Sequence, residues 1–132
     1  MNVRAEDLEK ARALLPGLFK FNEGERFSQA VLALNEDLLF IYNDHAPDQV
    51  MGEDAFYSVR YRFPKEMINT IVDEKLIKQP DLAGLNRLAI FTIEEETYYF
   101  YYFSDNRKAV NNFIAGLKHY GYEIVSRKIS LI

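Results

Sequence analysis

Four acidic residues and one histidine lie close together in a polar segment of the chain, and residues of these types could coordinate a cation. They are Asp44, His45, Asp48, Glu53 and Asp54. Calcium loops place acidic residues in a regular Asp-x-Asp-x-Asp-Gly series, and zinc hydrolases use a His-Glu-x-x-His helix. Neither spacing is present here. We therefore interpret residues 43 to 54 as a solvated acidic loop, and we predict no metal site and no cofactor.

Residues for nucleophilic or acid–base catalysis are scarce. The chain has no cysteine and two histidines, His45 and His119. No Gly-x-Ser-x-Gly motif surrounds a serine, and the six glycines form neither a Gly-x-Gly-x-x-Gly motif nor a phosphate loop. His119 falls near the carboxyl end of a predicted helix, where the helix dipole stabilises a cation, so we assign it a structural role. We predict no catalytic residues and a protein that is not an enzyme.

The composition is typical of a single globular domain. Of the 132 residues, 48% are hydrophobic and 27% are charged, and 16 basic against 20 acidic residues give a net charge of −4. This acidic excess argues against duplex nucleic acid as a partner. The first ten residues carry charges of both signs, unlike a signal peptide, and no apolar run reaches the roughly 18 residues that span a membrane. We expect a cytoplasmic protein that is not an integral membrane protein.

Apolar spacing predicts a helix near each end of the chain. The first covers residues 3 to 15, where apolar residues recur every three or four positions, and it ends at Pro16-Gly17. Its apolar positions are Leu8, Ala11, Leu14 and Leu15. The second starts after Ser104 or Asp105 and ends at Gly121, with Val110, Phe113, Ile114 and Leu117 on one face. Strands are predicted between them at 26–34, 38–42, 55–63, 68–76, 85–93 and 97–103, and an edge strand is predicted within 122–132.

Strands in hairpin-spaced pairs followed by an amphipathic helix predict an α+β fold. Several segments resemble the pleckstrin-homology-like superfold, in particular its small bacterial PH-like and GRAM-like members. They are Gly24-Glu25, Leu38-Leu39-Phe40-Ile41, Phe63-Pro64-Lys65-Glu66-Met67-Ile68, Leu88-Ala89-Ile90-Phe91 and Tyr99-Phe100-Tyr101. The resemblance implies an antiparallel, partly closed β-barrel capped by a C-terminal α-helix, and the N-terminal helix predicted from apolar spacing is an addition to it. The single domain, 1–132, then comprises an N-terminal helix extension (1–22), a PH-like core (23–121) and a C-terminal extension (122–132).

The lipid site of this superfold is not expected here. Members that bind phosphoinositides use basic residues around the turn between the first two strands. The corresponding turn in this chain is Asn35-Glu36-Asp37. Its two carboxylates would repel the phosphates of a headgroup, so we do not expect phosphoinositide binding.

The aromatic run 98–103 is the most unusual feature of the sequence. A strand directs alternate side chains to opposite faces, and both faces of this strand are aromatic. If one face packs in the core, the other needs cover, either from the N-terminal helix or from a partner. Tyrosine is enriched at protein interfaces because it combines a large contact area with a polar tip. We select Tyr98, Phe100 and Tyr102 as the candidate partner-binding residues.

Three functions fit these features. The first is a non-enzymatic binding or assembly module that associates with itself, as a homo-oligomer, or with a protein partner, through a sheet edge or the aromatic strand face. The second is a small-molecule carrier or hydrolase that uses the sheet interior, with Arg60 or Arg62 as a polar anchor. The third is weak binding to an anionic membrane surface through the basic residues near the C-terminus. Those residues are Arg107, Lys108, Lys118, Arg127 and Lys128.

Overall fold

Alternating apolar residues and short polar turns divide the chain into strands, with one α-helix near the C-terminus. The computed structural model describes residues 2–4, 11–20, 27–43, 49–51, 54–78 and 80–130. The strands are β1 (Asn2–Arg4), β2 (Ala13–Phe19), β3 (Ser28–Asn35), β4 (Leu38–Asn43), β5 (Gln49–Met51), β6 (Asp54–Pro64), β7 (Ile68–Ile77), β8 (Leu85–Thr92), β9 (Thr97–Phe103) and β10 (Ile124–Ser130). The helix α1 is Arg107–His119, and short 3-10 helices occupy Lys65–Met67 and Pro80–Leu82.

Eight of the strands form one continuous sheet in the order β6-β4-β3-β2-β9-β8-β7-β10. The neighbours from β6 to β7 are all antiparallel, whereas β10 lies parallel to β7. The short strands β1 and β5 pair with the first half of β6. Because α1 carries the chain from β9 back to the β7 side, β10 adds at that edge in the parallel direction.

The expectation of an antiparallel, partly closed barrel is therefore wrong. The sheet is mixed and open, because its hydrogen-bonded order runs from β6 to β10 without returning to β6. The C-terminal helix and the edge strand within 122–132 are confirmed, as α1 and β10. No helix in the described part of the chain is long and apolar enough to cross a membrane.

The predicted N-terminal helix over residues 3 to 15 is also wrong. Its described ends lie in strands β1 and β2, and residues 5–10 lie outside the described part of the chain. In β2 the side chains of Ala13, Leu15 and Phe19 alternate into the core, and this strand periodicity prevails over the helical spacing. Pro16-Gly17, expected to stop a helix, lies inside β2.

Gly17 lets β2 approach β9 closely. A Cβ atom at position 17 would overlap the carbonyl oxygen of Tyr101 and would lie 2.8 Å from Cε1 of Phe100. Only a residue without a side chain fits here. Beside it, Leu18 is the register partner of Tyr101.

The main core lies between the sheet and α1. The helix contributes the buried side chains of Val110, Phe113 and Leu117, as its apolar stripe predicts. The sheet contributes, among others, Leu15, Leu32, Leu34, Leu39, Ile41, Ile71, Leu88, Ile90, Phe100 and Tyr102. We call the side of the sheet that faces α1 the inner face and the opposite side the outer face. A smaller cluster of Val31, Ala33, Phe40 and Tyr42 lies on the outer face of β3 and β4.

Candidate binding surface on strands β7 to β10

The aromatic strand β9 turns the predicted partner residues inward. Phe100 is 0% exposed and Tyr102 is 1% exposed, and Tyr98 is half-buried against the core. The exposed residues are on the other face, where Tyr99 is 39% and Phe103 is 43% exposed. An aromatic surface on β9 therefore consists of Tyr99 and Phe103 rather than Tyr98, Phe100 and Tyr102.

A polar row crosses the outer face of four adjacent strands. Tyr101 on β9 is in register with Arg87 on β8, Arg87 with Glu74 on β7, and Glu74 with Arg127 on β10. We call these four residues the polar ladder. Arg87 Nε donates to Glu74 Oε1 at 2.6 Å, and Arg87 Nη1 donates to the Tyr101 hydroxyl at 3.2 Å. Arg127 Nε donates to the other carboxylate oxygen, Glu74 Oε2, at 2.8 Å.

The charges of the polar ladder do not balance. Two guanidinium groups share the single carboxylate of Glu74, so the row carries a net charge of about +1. Burial by itself lowers the pKa of Arg87, but the hydrogen bonds to Tyr101 and Glu74 and the charge of Glu74 raise it overall. Arg87 therefore stays a cation, and Arg127, whose side chain is 53% exposed, presents the surplus charge at the edge of the sheet.

Two apolar rows flank the polar ladder. On one side Tyr99, Ala89, Val72 and Val125 are in register across the same four strands. On the other side Phe103 is opposite Leu85, and Leu76 is opposite Ile129. Val125 on β10 is 48% exposed, so the apolar surface continues to the sheet edge. The guanidinium of Arg87 lies 4.0 Å from the ring centroid of Tyr99 and holds this ring against the polar ladder.

Strand β10 ends the sheet, and no described strand pairs with its far side. The amide of Ile71 donates to the carbonyl of Glu123 at 2.9 Å, which fixes the phase of the β7–β10 pairing. The backbone N–H and C=O groups of successive strand residues point to opposite sides of the strand. Those that point to β7 belong to Val125, Arg127 and Ile129. Those that point away from the sheet belong to Ser126, Lys128 and Ser130. Lys128 is exposed and makes no ion pair with any described residue.

A second polar group is buried on the inner face. The Tyr102 hydroxyl donates to Asp73, and Lys75 Nζ lies 3.4 Å from the other oxygen of this carboxylate. Burial raises the pKa of Tyr102, and the hydrogen bond to Asp73 and its charge raise it further. This group therefore satisfies buried polar atoms and anchors β9 to β7.

Other residues selected from the sequence are not brought together. Arg62 is exposed on β6, away from the interior, and the side chain of Arg60 lies outside the described part of the structure. Asp44, His45, Asp48 and Glu53 also lie outside it, and His119 is exposed at the end of α1. Among the described residues, no three His, Asp or Glu side chains form a group that could hold a metal ion. The five C-terminal cations are exposed, three on α1 and two on β10.

Comparison of the chain with protein-family models, with curated proteins and with solved structures gave no match. The resemblance to pleckstrin-homology-like proteins therefore stays a prediction.

Proposed function

We propose that this protein is a binding module that takes up an extended, acidic segment of another protein as an additional strand on β10. The observation that carries the proposal is the far side of β10, with which no described strand pairs and whose outward backbone groups belong to Ser126, Lys128 and Ser130. An unpaired edge is a template for strand addition, and main-chain hydrogen bonds supply much of the affinity in such complexes.

The charge of the edge selects the partner. The polar ladder ends at Arg127 with a surplus positive charge. Lys128, the next residue, lies on the other face of the strand and makes no ion pair with a described residue. An acidic residue opposite Arg127 would continue the polar ladder across one more strand. Apolar residues two positions before and after it would lie beside Val125 and Ile129 and extend the apolar rows.

A second copy of the chain fits this edge poorly. If β10 paired antiparallel with its own copy over all seven residues, Arg127 would face Arg127 of the second copy. Like charges directly opposite each other on paired strands are destabilising. We therefore assign the edge to another protein rather than to a homo-oligomer.

A labelled heptapeptide, Thr-Val-Glu-Glu-Glu-Val-Thr, tests the proposal by fluorescence anisotropy. It is as long as β10, it places Val-Glu-Val on one face in either direction, and its counterpart Thr-Val-Lys-Lys-Lys-Val-Thr reverses the charge. We expect saturable binding of the acidic peptide with a Kd on the order of 0.1 mM, weakened by salt, and no saturable binding of the basic peptide.

The variant Ser126→Pro isolates the role of the strand edge. Proline at position 126 removes an outward amide but none of the amides that donate to β7, so the fold is retained. We expect Ser126→Pro to show no binding of the acidic peptide. The control Ser126→Ala keeps the amide and should bind the peptide with the affinity of the wild type. Equal binding by the proline variant, or no binding by the wild type, would refute strand addition at β10.

A further inference from the structure

The sheet opens where β2 and β9 diverge. These strands share the register pair Leu18 and Tyr101, and a cavity of about 400 Å³ lies beyond it. Small-molecule sites in proteins commonly enclose about 300–1,000 Å³ and combine apolar walls with a few polar groups. The cavity is separate from the free edge of β10, and its function does not depend on the proposed strand addition.

Aromatic rings form most of the cavity wall. Phe27 packs edge-on against Tyr101 with ring centroids 4.9 Å apart, and Tyr61 lies 5.7 Å from Tyr98. Because these rings contact one another, the wall is formed before a ligand enters. Flat aromatic surfaces favour a flat aromatic ligand, which can stack on them or meet their edges.

Two cations accompany the rings, and none of the described residues that line the cavity is acidic. Lys20 Nζ lies 4.7 Å from the ring centroid of Phe27 and makes no ion pair with a described residue. Arg87 reaches the cavity from the polar ladder, where Glu74 is shared with Arg127. The positive charge at this site therefore exceeds the negative charge that compensates it.

We propose that this cavity binds a planar aromatic anion. The aromatic part lies among Phe27, Tyr61 and Tyr98, and the carboxylate, sulfonate or phosphate of the ligand pairs with Lys20 at the exposed end. Arg87, which reaches the cavity from the outer face of the sheet, supports the same charge at the buried end of the cavity. A neutral aromatic molecule would gain the ring contacts but not the ion pair, so the site discriminates by charge.

Isothermal titration calorimetry with two matched probes tests this site. The probes are 2-naphthoate and the neutral 2-naphthalenemethanol, which share one ring system. The variant Lys20→Gln removes an exposed cation without disturbing the core, and Lys118→Gln on α1 is the control for the change in net charge. All titrations use the full chain without peptide.

We expect 2-naphthoate to bind with a Kd on the order of 0.1 mM and about fivefold more tightly than the neutral alcohol. Lys20→Gln should weaken naphthoate binding about fivefold and leave the alcohol unaffected, whereas Lys118→Gln should change neither. The proposal fails if naphthoate shows no saturable binding, if both probes bind equally, or if the two variants weaken naphthoate to the same extent.

Discussion

Glu74 and Arg87 face each other on adjacent antiparallel strands, and their side chains are joined by a hydrogen bond of 2.6 Å between Arg87 Nε and Glu74 Oε1. Both side chains are buried on the outer face of the sheet, although this face carries no helix from the described part of the chain. The pair positions the polar ladder that ends at the free edge of β10, so it connects the stability of the sheet to the proposed binding surface.

Removal of Arg87 should be strongly destabilising. In Arg87→Leu the buried carboxylate of Glu74 loses the buried Arg87 guanidinium and keeps only the half-exposed Arg127 as a cationic partner. We expect the free energy of unfolding to fall by about 3 kcal/mol, measured by urea denaturation followed by circular dichroism. The double variant Glu74→Leu with Arg87→Leu should lose less than the single variant, because it leaves no buried carboxylate whose only cationic partner is the half-exposed Arg127. A double variant that is less stable than Arg87→Leu would contradict this reading of the pair.

Gly17 should tolerate no side chain. In Gly17→Ala the new methyl group would overlap the Tyr101 carbonyl and press on the Phe100 ring, so we expect a loss of about 3 kcal/mol or more. Gly84→Ala is the matched control, because Gly84 has a φ of +81° but no atom within 4 Å of the added Cβ. Its cost is limited to backbone strain of about 1 kcal/mol. Similar losses in the two variants would show that β2 and β9 are not in close contact.

The Tyr122 hydroxyl is buried without a hydrogen bond to any described residue. We expect Tyr122→Phe to raise the free energy of unfolding at pH 7 by about 1 kcal/mol, because it removes a polar atom that loses its hydration on folding. Denaturant unfolding of both proteins at pH 7 measures the difference. A loss of stability in Tyr122→Phe would indicate a partner for this hydroxyl.

The same residue should shape the stability at alkaline pH. Burial, together with the smaller effect of the charges of Asp37 and Glu66, raises the pKa of Tyr122 to about 12. The folded protein holds this proton more tightly than the unfolded chain, whose tyrosines titrate near pH 10. Ionisation of Tyr122 therefore leaves the free energy of unfolding unchanged below pH 10. Between pH 10 and pH 12 it lowers that free energy by about 1.4 kcal/mol per pH unit. Tyr122→Phe should decline less steeply than the wild type over this window, and parallel declines would be inconsistent with the raised pKa.

Reversal of one charge at the edge of β10 should shift the binding preference from the acidic heptapeptide towards the basic one. In Lys128→Glu we expect the acidic heptapeptide to bind about tenfold more weakly and the basic heptapeptide to gain measurable affinity. Fluorescence anisotropy measures both. Lys118→Glu makes the same change in net charge on α1 instead of on β10, and it should leave both affinities nearly unchanged. An equal effect of the two variants would mean that the peptide responds to net charge alone.

Local pattern was sufficient for much of the fold. The stripe Val110, Phe113 and Leu117 predicted α1, and strand 97–103 was predicted with the bounds that the structure has. Strand β2 was not predictable in this way, because Leu14 and Leu15 fit both a helical stripe and an alternating strand. The competing evidence was the close approach of Gly17 to β9, which depends on residues more than 80 positions apart.

The candidate binding surface could not be predicted from the sequence, because it is formed by strands that are far apart in the chain. Both faces of β9 are aromatic, so its sequence does not indicate that Phe100 packs inward and Tyr99 outward. Glu74, Arg87 and Arg127 come together only through the register of three strands, including the parallel pairing of β10. One local signal was present, since Asp73 and Glu74 directly follow the apolar pair Ile71-Val72 within a strand, and charged residues that become buried there need partners.

Amide hydrogen exchange on β10, followed by NMR, tests the proposed strand addition most directly. In the free protein we expect the amides of Ser126 and Lys128 to exchange rapidly, while those of Arg127 and Ile129 are protected by β7. Saturation with the acidic heptapeptide should slow exchange at Ser126 and Lys128 by about tenfold or more. Unchanged exchange at these two amides, in a sample whose peptide is bound, would contradict the account.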